Sequence, residues 1–452
     1  MSAGAVSSGD VVGVFKKVYG PLQDLQPANF PLERDIPFDQ SIMVGDQFII
    51  AVNLTAEVGW TIGGDATEAF TISPAIAGTT KQISVTPSAT IVTSVIPFGV
   101  ASRSAKVGET AFKSATKMIV KNNLKSHSKL LEILRLYGRA TYKLGRVSYC
   151  TATYRGVALT NGGGVIPCNG TNVTFTAGVN TSSKWILFQP GDFAAGIWCG
   201  CEGAVVKEIE TASGAVVGSG KLVEVDAEKG AIKVDFTPVA ASSTTSHHIC
   251  FDRMEDNNDA MGIEKILSTT TGTLFDVSVT QYSLWRPVAI ACGATLWTFA
   301  WLSNGVAQAS NRGGLGDGDM GGGDLMVYMN PRTWAKLIQT EAGRRSYDQS
   351  YSEATARNGA RAIEFFTEVG KATLKTHRMV KEGLVFGLHL PDWQRSGSAE
   401  ISFNIPGIDK EVIFALENQA GWCFRSYADQ FILCHAPARS IIWTGVNDES
   451  AS

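Results

Sequence analysis

The chain has 452 residues, a formal charge of −3, 18% charged residues and 44% hydrophobic ones. These values exclude a disordered or highly charged scaffold and a uniformly basic nucleic-acid binder, and the length fits about two to four domains with real cores. The eight cysteines, at positions 150, 168, 199, 201, 250, 292, 423 and 434, form no dense framework, which predicts a reduced, intracellular chain. No basic and then apolar leader opens the sequence, and its richest apolar stretch, Val288 to Leu302, is broken by Cys292, Gly293 and Thr295. No membrane association is expected.

Residues 1–42 carry little periodic pattern. Pro21, Pro27, Pro31 and Pro37 forbid a long helix, so the segment reads as an extended arm with scattered apolar anchors such as Val14, Phe30 and Ile36. Residues 43–100 read as strands: Gln47 to Leu54 and Thr90 to Phe98 are β-branched and apolar. The Thr-, Ser- and Gly-rich stretch between them holds β-prone pieces at Phe70–Ile72 and Gln82–Val85, which predicts a long two-stranded ribbon projecting outward.

From Gly108 to Tyr137 the pattern changes to a helix. Val120, Leu124, His127, Leu131 and Leu134 step by four and three, and no proline or later glycine interrupts them. Such a helix is about 45 Å long at 1.5 Å per residue. Between Ala101 and Arg146 lie eleven cations against two acids, Glu109 and Glu132, a balance of +9 that leaves the rest of the chain at −12. Lys113, Lys117, Lys121, Lys125 and Lys129 follow one another at i, i+4. Like charges at that spacing weaken an isolated helix slightly. The row reads either as a solvated face or as one neutralised from outside, by phosphates or by acidic neighbouring subunits.

Residues 149–254 read as a small β-rich insertion, with short strands at Val205–Ile209, Lys221–Val225 and Ile232–Phe236. Residues 255–360 hold an apolar helix at Leu296–Ala309, a glycine-rich mobile loop at 311–323, a buried-type strand at Asp324–Met329, and a helix opened by Asn330-Pro331 and stopped near Gly343. Residues 361–452 read as a hairpin around Val369-Gly370 and then strands at Leu384–Leu390, Glu400–Asn404, Glu411–Leu416, Trp422–Tyr427, Phe431–His435 and Ser440–Thr444.

No chemistry emerges from the motifs. Gly316 to Gly321 matches a dinucleotide-loop pattern by letter but lacks the strand before it and the helix after it. Gly218 to Lys221 has Ala215 and Leu222 where a phosphate loop needs glycine and a hydroxyl residue. His247, His248, Cys250 and Asp252 are the densest ligand-type group, without a second ligand pair at metal spacing. His127 sits on the apolar stripe of the long helix and reads as a packed histidine. No catalytic residue, metal site or cofactor site is nominated, and the chain is expected not to be an enzyme.

The order of elements, from arm through ribbon and basic helix to a mixed α/β region, resembles the major capsid proteins of tailed bacteriophages, the Hong Kong 97 fold. Met261 to Ile266 with Thr273-Leu274-Phe275, Tyr282 and Trp285-Arg286-Pro287 looks like that family's segment entering its A domain. Val327 to Trp334 resembles its strand, N-P-x-x-W and helix; Ile363-Glu364-Phe365 and Pro391-Asp392-Trp393 also fit.

The resemblance implies an α+β fold with an N-terminal arm (1–42), an E-loop ribbon (43–100), the spine helix of a P domain (101–148), the β-rich insertion (149–254), an A domain (255–360) and returning strands (361–452). It implies a subunit that assembles through hexamers and pentamers into an icosahedral shell around double-stranded DNA, in a virion built in the host cytoplasm. Its partners are then portal and scaffold proteins, a possible decoration protein, and DNA held non-specifically. Trp60 and Ile62 become E-loop anchors. Gly313, Gly314, Gly316, Gly318, Gly321, Gly322 and Gly323 become a flexible A-domain loop near a capsomer axis. The alternatives are an encapsulin-like bacterial compartment shell and, more remotely, a β-rich hydrolase.

Overall fold

The computed structural model describes residues 30–39, 43–44, 47–63, 70–98, 109–151, 165–168, 171–174, 184–228, 230–236, 238, 246–255, 259–316, 325–345, 363–367, 369–403, 413–416 and 420–447. Its helices are α1 (Pro31–Asp35), α2 (Glu109–Tyr137), α3 (Ala195–Trp198), α4 (Ile263–Ser268), α5 (Phe299–Gly313) and α6 (Pro331–Arg345). The longest, α2, covers the stretch without glycine or proline and ends where Gly138 follows.

Helix α2 lies on a five-stranded sheet whose central strand, Gly421–Cys434, is 14 residues long. The sequence suggested two strands there, separated by Ala428-Asp429-Gln430. One continuous strand forms because it pairs without a break from Gly421 to Gln430 with Ser88–Pro97. The interruption is only chemical: the Gln430 side chain accepts a hydrogen bond from Arg135 on α2 (2.9 Å). Trp393–Ser402 pairs on the other side of the long strand, and Phe38–Asp39 adds a parallel edge to it.

The inward face of α2 is more polar than its sequence stripe suggests. Asn123 donates to Val92 O (3.1 Å) and Ser94 Oγ (2.8 Å), and His127 sits between Thr90 Oγ1 and Ser426 Oγ, each at 2.8 Å. Val120 and Leu124 are only half-buried. From Leu131 to Tyr137 the helix is covered on nearly every side, which places Glu132 and Arg135 in the interior.

A second, mixed sheet of six strands runs in the order Val288–Thr295, Ile441–Val446, Leu384–His389, Leu325–Met329, Gly370–Thr376, Ile363–Thr367. Side chains alternate across it, as strand geometry requires. Leu325, Val327 and Met329 pack with Leu302 and Val306 of α5 and Trp334 and Leu337 of α6. Tyr328, Phe386 and Ile442 face the other way into the main core. That core is continuous: it holds Leu32 near the arm, Phe48 of the ribbon, Tyr137 of α2 and Ile432 of the first sheet.

The β-rich region is a six-stranded sheet in the order His247–Phe251, Val205–Glu210, Val216–Asp226, Ala231–Val234, Lys184–Phe188, Val147–Thr151. Its two edges meet at one end, where Leu144 N–H donates to Ile249 O (3.1 Å) and Ile249 N–H to Gly145 O (3.0 Å). The sheet curls into a small barrel filled by Ile186, Val206, Leu222, Ile232 and Ile249, which removes exposed edges at that end. The chain therefore enters and leaves the barrel side by side. Lys143 Nζ donates to Met254 O (2.7 Å) and pairs with Asp259 (3.4 Å), both side chains being buried. Asp259 also accepts from Arg139 N–H (2.9 Å). One step back, Gly262 N–H donates to Gly138 O (2.8 Å), and a Cβ on Gly138 would lie 2.1 Å from Ala260 O, so the two backbones cross where no side chain fits.

Removing one partner of a buried ion pair leaves the other desolvated and unpaired. K143M is therefore expected to lower stability by about 3 kcal/mol, measured as a lower denaturant midpoint of unfolding.

Candidate assembly surfaces

The ribbon is built from Gln47–Asn53 and Thr80–Val85, paired antiparallel from Phe48↔Val85 to Asn53↔Thr80. Its base is anchored: Phe48, Leu54, Ile83 and Val85 are buried, and the Phe48 ring meets Phe431 edge-on at 5.1 Å. Beyond the ladder the two arms stay linked, by Leu54 N–H to Thr79 O (2.8 Å), Val58 N–H to Ile76 O (3.1 Å) and Ser73 N–H to Thr61 Oγ1 (2.8 Å). Phe70 lies over Gly63. Phe70–Ile72 is not a strand: the next residue, Ser73, bonds across to a side chain, Thr61 Oγ1, instead of to backbone.

This distal part carries Val58, Trp60, Ile62, Phe70, Ile72 and Ile76 exposed, with Trp60 76% and Ile62 96% accessible. Burying one such side chain is worth about 1.5–3 kcal/mol. A soluble subunit has no reason to hold six apolar side chains on a projecting tip unless another surface covers them. Trp60 and Ile62 were singled out as anchors by sequence; Val58, Phe70, Ile72 and Ile76 were not, because only the pairing of the two arms brings them to one tip.

The lysine row is smaller than its sequence count. Lys121 is exposed and Lys125 half-buried on the face of α2 away from Asn123 and His127. Lys129 turns inward and donates to Cys199 O (2.8 Å) and Cys201 Sγ (3.0 Å). The side chains of Lys113 and Lys117 lie outside the described residues. Four further cations of the basic segment are engaged within the subunit: Arg135 with Glu132, Arg139 and Lys143 with Asp259, and Arg146 with Asp192. The +9 balance is consequently not a surface field.

The glycine-rich segment begins later than expected. Helix α5 runs to Gly313 instead of Ala309, because its last turn is packed: Arg439 Nε donates to Gly313 O (2.9 Å), and a Cβ on Gly313 would lie 2.7 Å from the Ala438 carbonyl carbon. Gly314 caps the helix in the left-handed region (φ 65°), and Gly316 (φ 88°) rests on Val369. Gly318, Gly321, Gly322 and Gly323 lie outside the described residues.

The end of the arm docks on its own subunit through groups the sequence did not single out. Leu32 N–H donates to Glu132 Oε1 (2.9 Å), and Arg395 donates to Ile36 O (2.6 Å) and Glu33 O (3.0 Å). Burial alone would raise the Asp35 carboxyl, but hydrogen bonds from Tyr328, Arg34 and Lys375 outweigh it and hold that carboxyl below its usual range. The histidines of the ligand-type group diverge: His247 pairs with Glu208 (2.7 Å), and His248 bonds Thr211 (3.0 Å). The remainder of the arm, residues 1–29 and 40–42, lies outside the described residues.

No known family's sequence profile and no curated protein matches the chain. Solved structures do. A capsid chain of cyanophage A-1(L) superposes with a TM-score of 0.51 at 10% identity, over 95% of this chain and 96% of that one. The fold is that of a phage capsid subunit. It has the Hong Kong 97-type mixed α/β architecture that the order of elements implied. A capsid chain of a native GTA particle matches at a TM-score of 0.47 and 8% identity, over 99% of both chains. The capsid chain of cyanophage Pam1 matches at 0.41 and 10%, over 99% of this chain and 100% of that one. A virus-like particle from Pyrococcus furiosus aligns with only 32% of this chain and 47% of its own, at a TM-score of 0.19 and 12% identity.

His127 fastens the long helix to the sheet and sets a pH dependence. Burial, with the nearby Arg135 charge, pushes its pKa down to about 4. An unfolded histidine titrates near 6.5, so between pH 6.5 and 4 the unfolded chain binds a proton that the folded one does not. Stability is full above pH 6.5 and falls on acidification through that window, by about 3 kcal/mol from this group. H127Q is expected to flatten the acid limb of a stability-against-pH curve while lowering the plateau above pH 6.5.

Proposed function

We propose that this chain is a major capsid protein, a non-enzymatic subunit that assembles through hexamers and pentamers into an icosahedral shell around double-stranded DNA. The observation that carries the reading is the apolar ribbon tip, based in the core yet exposed among the described residues of its own subunit. It fits a clasp laid on a neighbouring copy, since arms of this kind add buried interface without enlarging the core. In this reading the ribbon is the E-loop with Trp60 and Ile62 as anchors, α2 is the spine of the P domain, and the second sheet with α5 and α6 belongs to the A domain. In this reading the glycine-rich stretch beyond Gly316 serves near a capsomer axis, where rings of five and six demand different local paths. Portal and scaffold proteins, and a decoration protein, are the further partners; the product is a virion assembled in the host cytoplasm.

Excising residues 59–86 would remove the buried Ile83 and Val85 as well as the tip, so substitution is the cleaner test. W60S/I62S is expected to give a folded, soluble subunit that forms no stable shells by negative-stain microscopy and sedimentation. Shells like those of the parent protein would overturn the clasp.

In this reading the basic row of α2 (Lys113, Lys117, Lys121, Lys125) serves either the packaged DNA or acidic patches on adjacent subunits, and the DNA role is the one tested first. K117E/K121E is expected to leave empty-shell assembly unchanged and to weaken filled particles, with a salt slope reduced by roughly one per cation removed. Failure of assembly itself assigns the row to acidic neighbouring subunits instead.

A further inference from the structure

Lys129, drawn inward from the basic row, ends on two thiols. Helix α3 runs into a type II turn, Trp198-Cys199-Gly200-Cys201, closed by Cys201 N–H to Trp198 O (3.0 Å). Cys199 has φ −60° and ψ 127°, and Gly200 has φ 77°, the position where this turn requires glycine. The turn points the Cys199 carbonyl at Lys129 Nζ (2.8 Å) and folds Cys201 back, so that its Sγ lies 3.0 Å from the same nitrogen. Cys201 Sγ also contacts Ile197 O (3.3 Å). Cys199 is exposed and Cys201 half-buried, so small solutes reach the pair.

A second cation, Arg378, borders the turn: its carbonyl accepts from Gly196 N–H (3.2 Å), and its charge acts on both Cys199 and Cys201. Two cations beside two thiols oppose a metal cation and leave the sulfurs to redox chemistry, in which the thiolate is the form that oxidants attack. Burial, then Glu202, pushes the Cys199 thiol up, which makes Cys199 the poorer partner for an oxidised neighbour. The lysine nitrogen is already in contact.

We propose that Lys129 and Cys201 form an oxidation-driven covalent bridge, a sulfenamide, when the subunit meets a peroxide. The Cys201 sulfur attacks one peroxide oxygen, the O–O bond breaks, and the sulfur, oxidised by two electrons, becomes a sulfenic acid while the peroxide is reduced to water. Lys129, after giving its extra proton to solvent, attacks that sulfur as the free amine. The S–N bond forms, the S–O bond breaks, and the hydroxyl leaves as water with a proton from nitrogen. In sum, one thiol, one amine and one peroxide give one sulfenamide and two waters. The bridge joins residues 72 apart in sequence and fastens α2 to the turn after α3. Like a disulfide of that span, it restricts the unfolded chain. It is independent of the shell reading: the subunit alone contains every group it needs.

The test uses the full-length protein, treated with hydrogen peroxide, digested without reductant by a protease that cuts after acidic residues, and read by tandem mass spectrometry. The expected product is a Lys129 peptide joined to a Cys201 peptide, lighter by two hydrogens than their sum and released by dithiothreitol. K129R and C201S are expected to abolish it, and C199S to keep it. A link that survives K129R and vanishes in C199S is a Cys199–Cys201 disulfide and overturns the proposal. So does recovery of Cys201 only as free thiol or as sulfinic acid. The wild-type mapping decides even if a variant folds poorly.

Discussion

A single buried carboxylate organises the interior. Glu132, on the enclosed half of the long helix, is fully shielded from solvent and receives three donors: Leu32 N–H from the arm, His377 Nε2 from the turn after the second sheet's Gly370–Thr376 strand (2.9 Å), and Arg135 from its own helix (3.3 Å). Burial opposes its ionisation, but the His377 bond and charge, the Arg135 charge and the Leu32 N–H prevail, and its pKa stays below the ordinary value. An anion without water must be satisfied by groups held in place. Satisfying this one ties the arm, the helix and the first and second sheets to a common point, because Arg135 continues to Gln430 of the first sheet.

That arrangement explains how the chain can be long, multi-part and still rigid where it must be. The barrel hangs from a crossing of backbones at Gly138 and Gly262, reinforced by Lys143 and Asp259. The ribbon leaves from Phe48 and Ile83 in the core, and the arm returns along Trp393–Ser402. Each appendage has a fixed root, and the ribbon also ends in an exposed apolar tip. In the shell reading the roots give every copy the same geometry, while the tip takes its stability from neighbours.

The basic character of the helix is divided in the same way. Most cations near its C-terminal end serve the interior, as partners of Glu132, Asp259 and Asp192. Lys129 belongs to a small nucleophilic cluster, and Lys121 stays on the outside. One stretch of sequence is thus divided among the interior, a contact with two thiols and the surface according to depth.

Local pattern alone determined a good deal. The helix from residue 109 to 137, the strands near 47–53 and 88–97, the Asn330-Pro331 start of α6 and the hairpin at Gly370 were legible, because propensity, periodicity and turn chemistry act over a few residues. Trp60 and Ile62 stood out as apolar residues in a polar stretch. Tertiary structure decided the rest: that Gly421–Cys434 is one strand, that α5 continues into the glycines, that four more apolar residues share the ribbon tip, and that Lys129 faces two thiols instead of solvent. Each of these depends on a partner tens to hundreds of positions away, such as Ser88–Pro97 for the strand, Ala438 for Gly313 and Cys201 for Lys129. The free energy of a contact lies in the pair, and a sequence read in order shows only one member of it at a time.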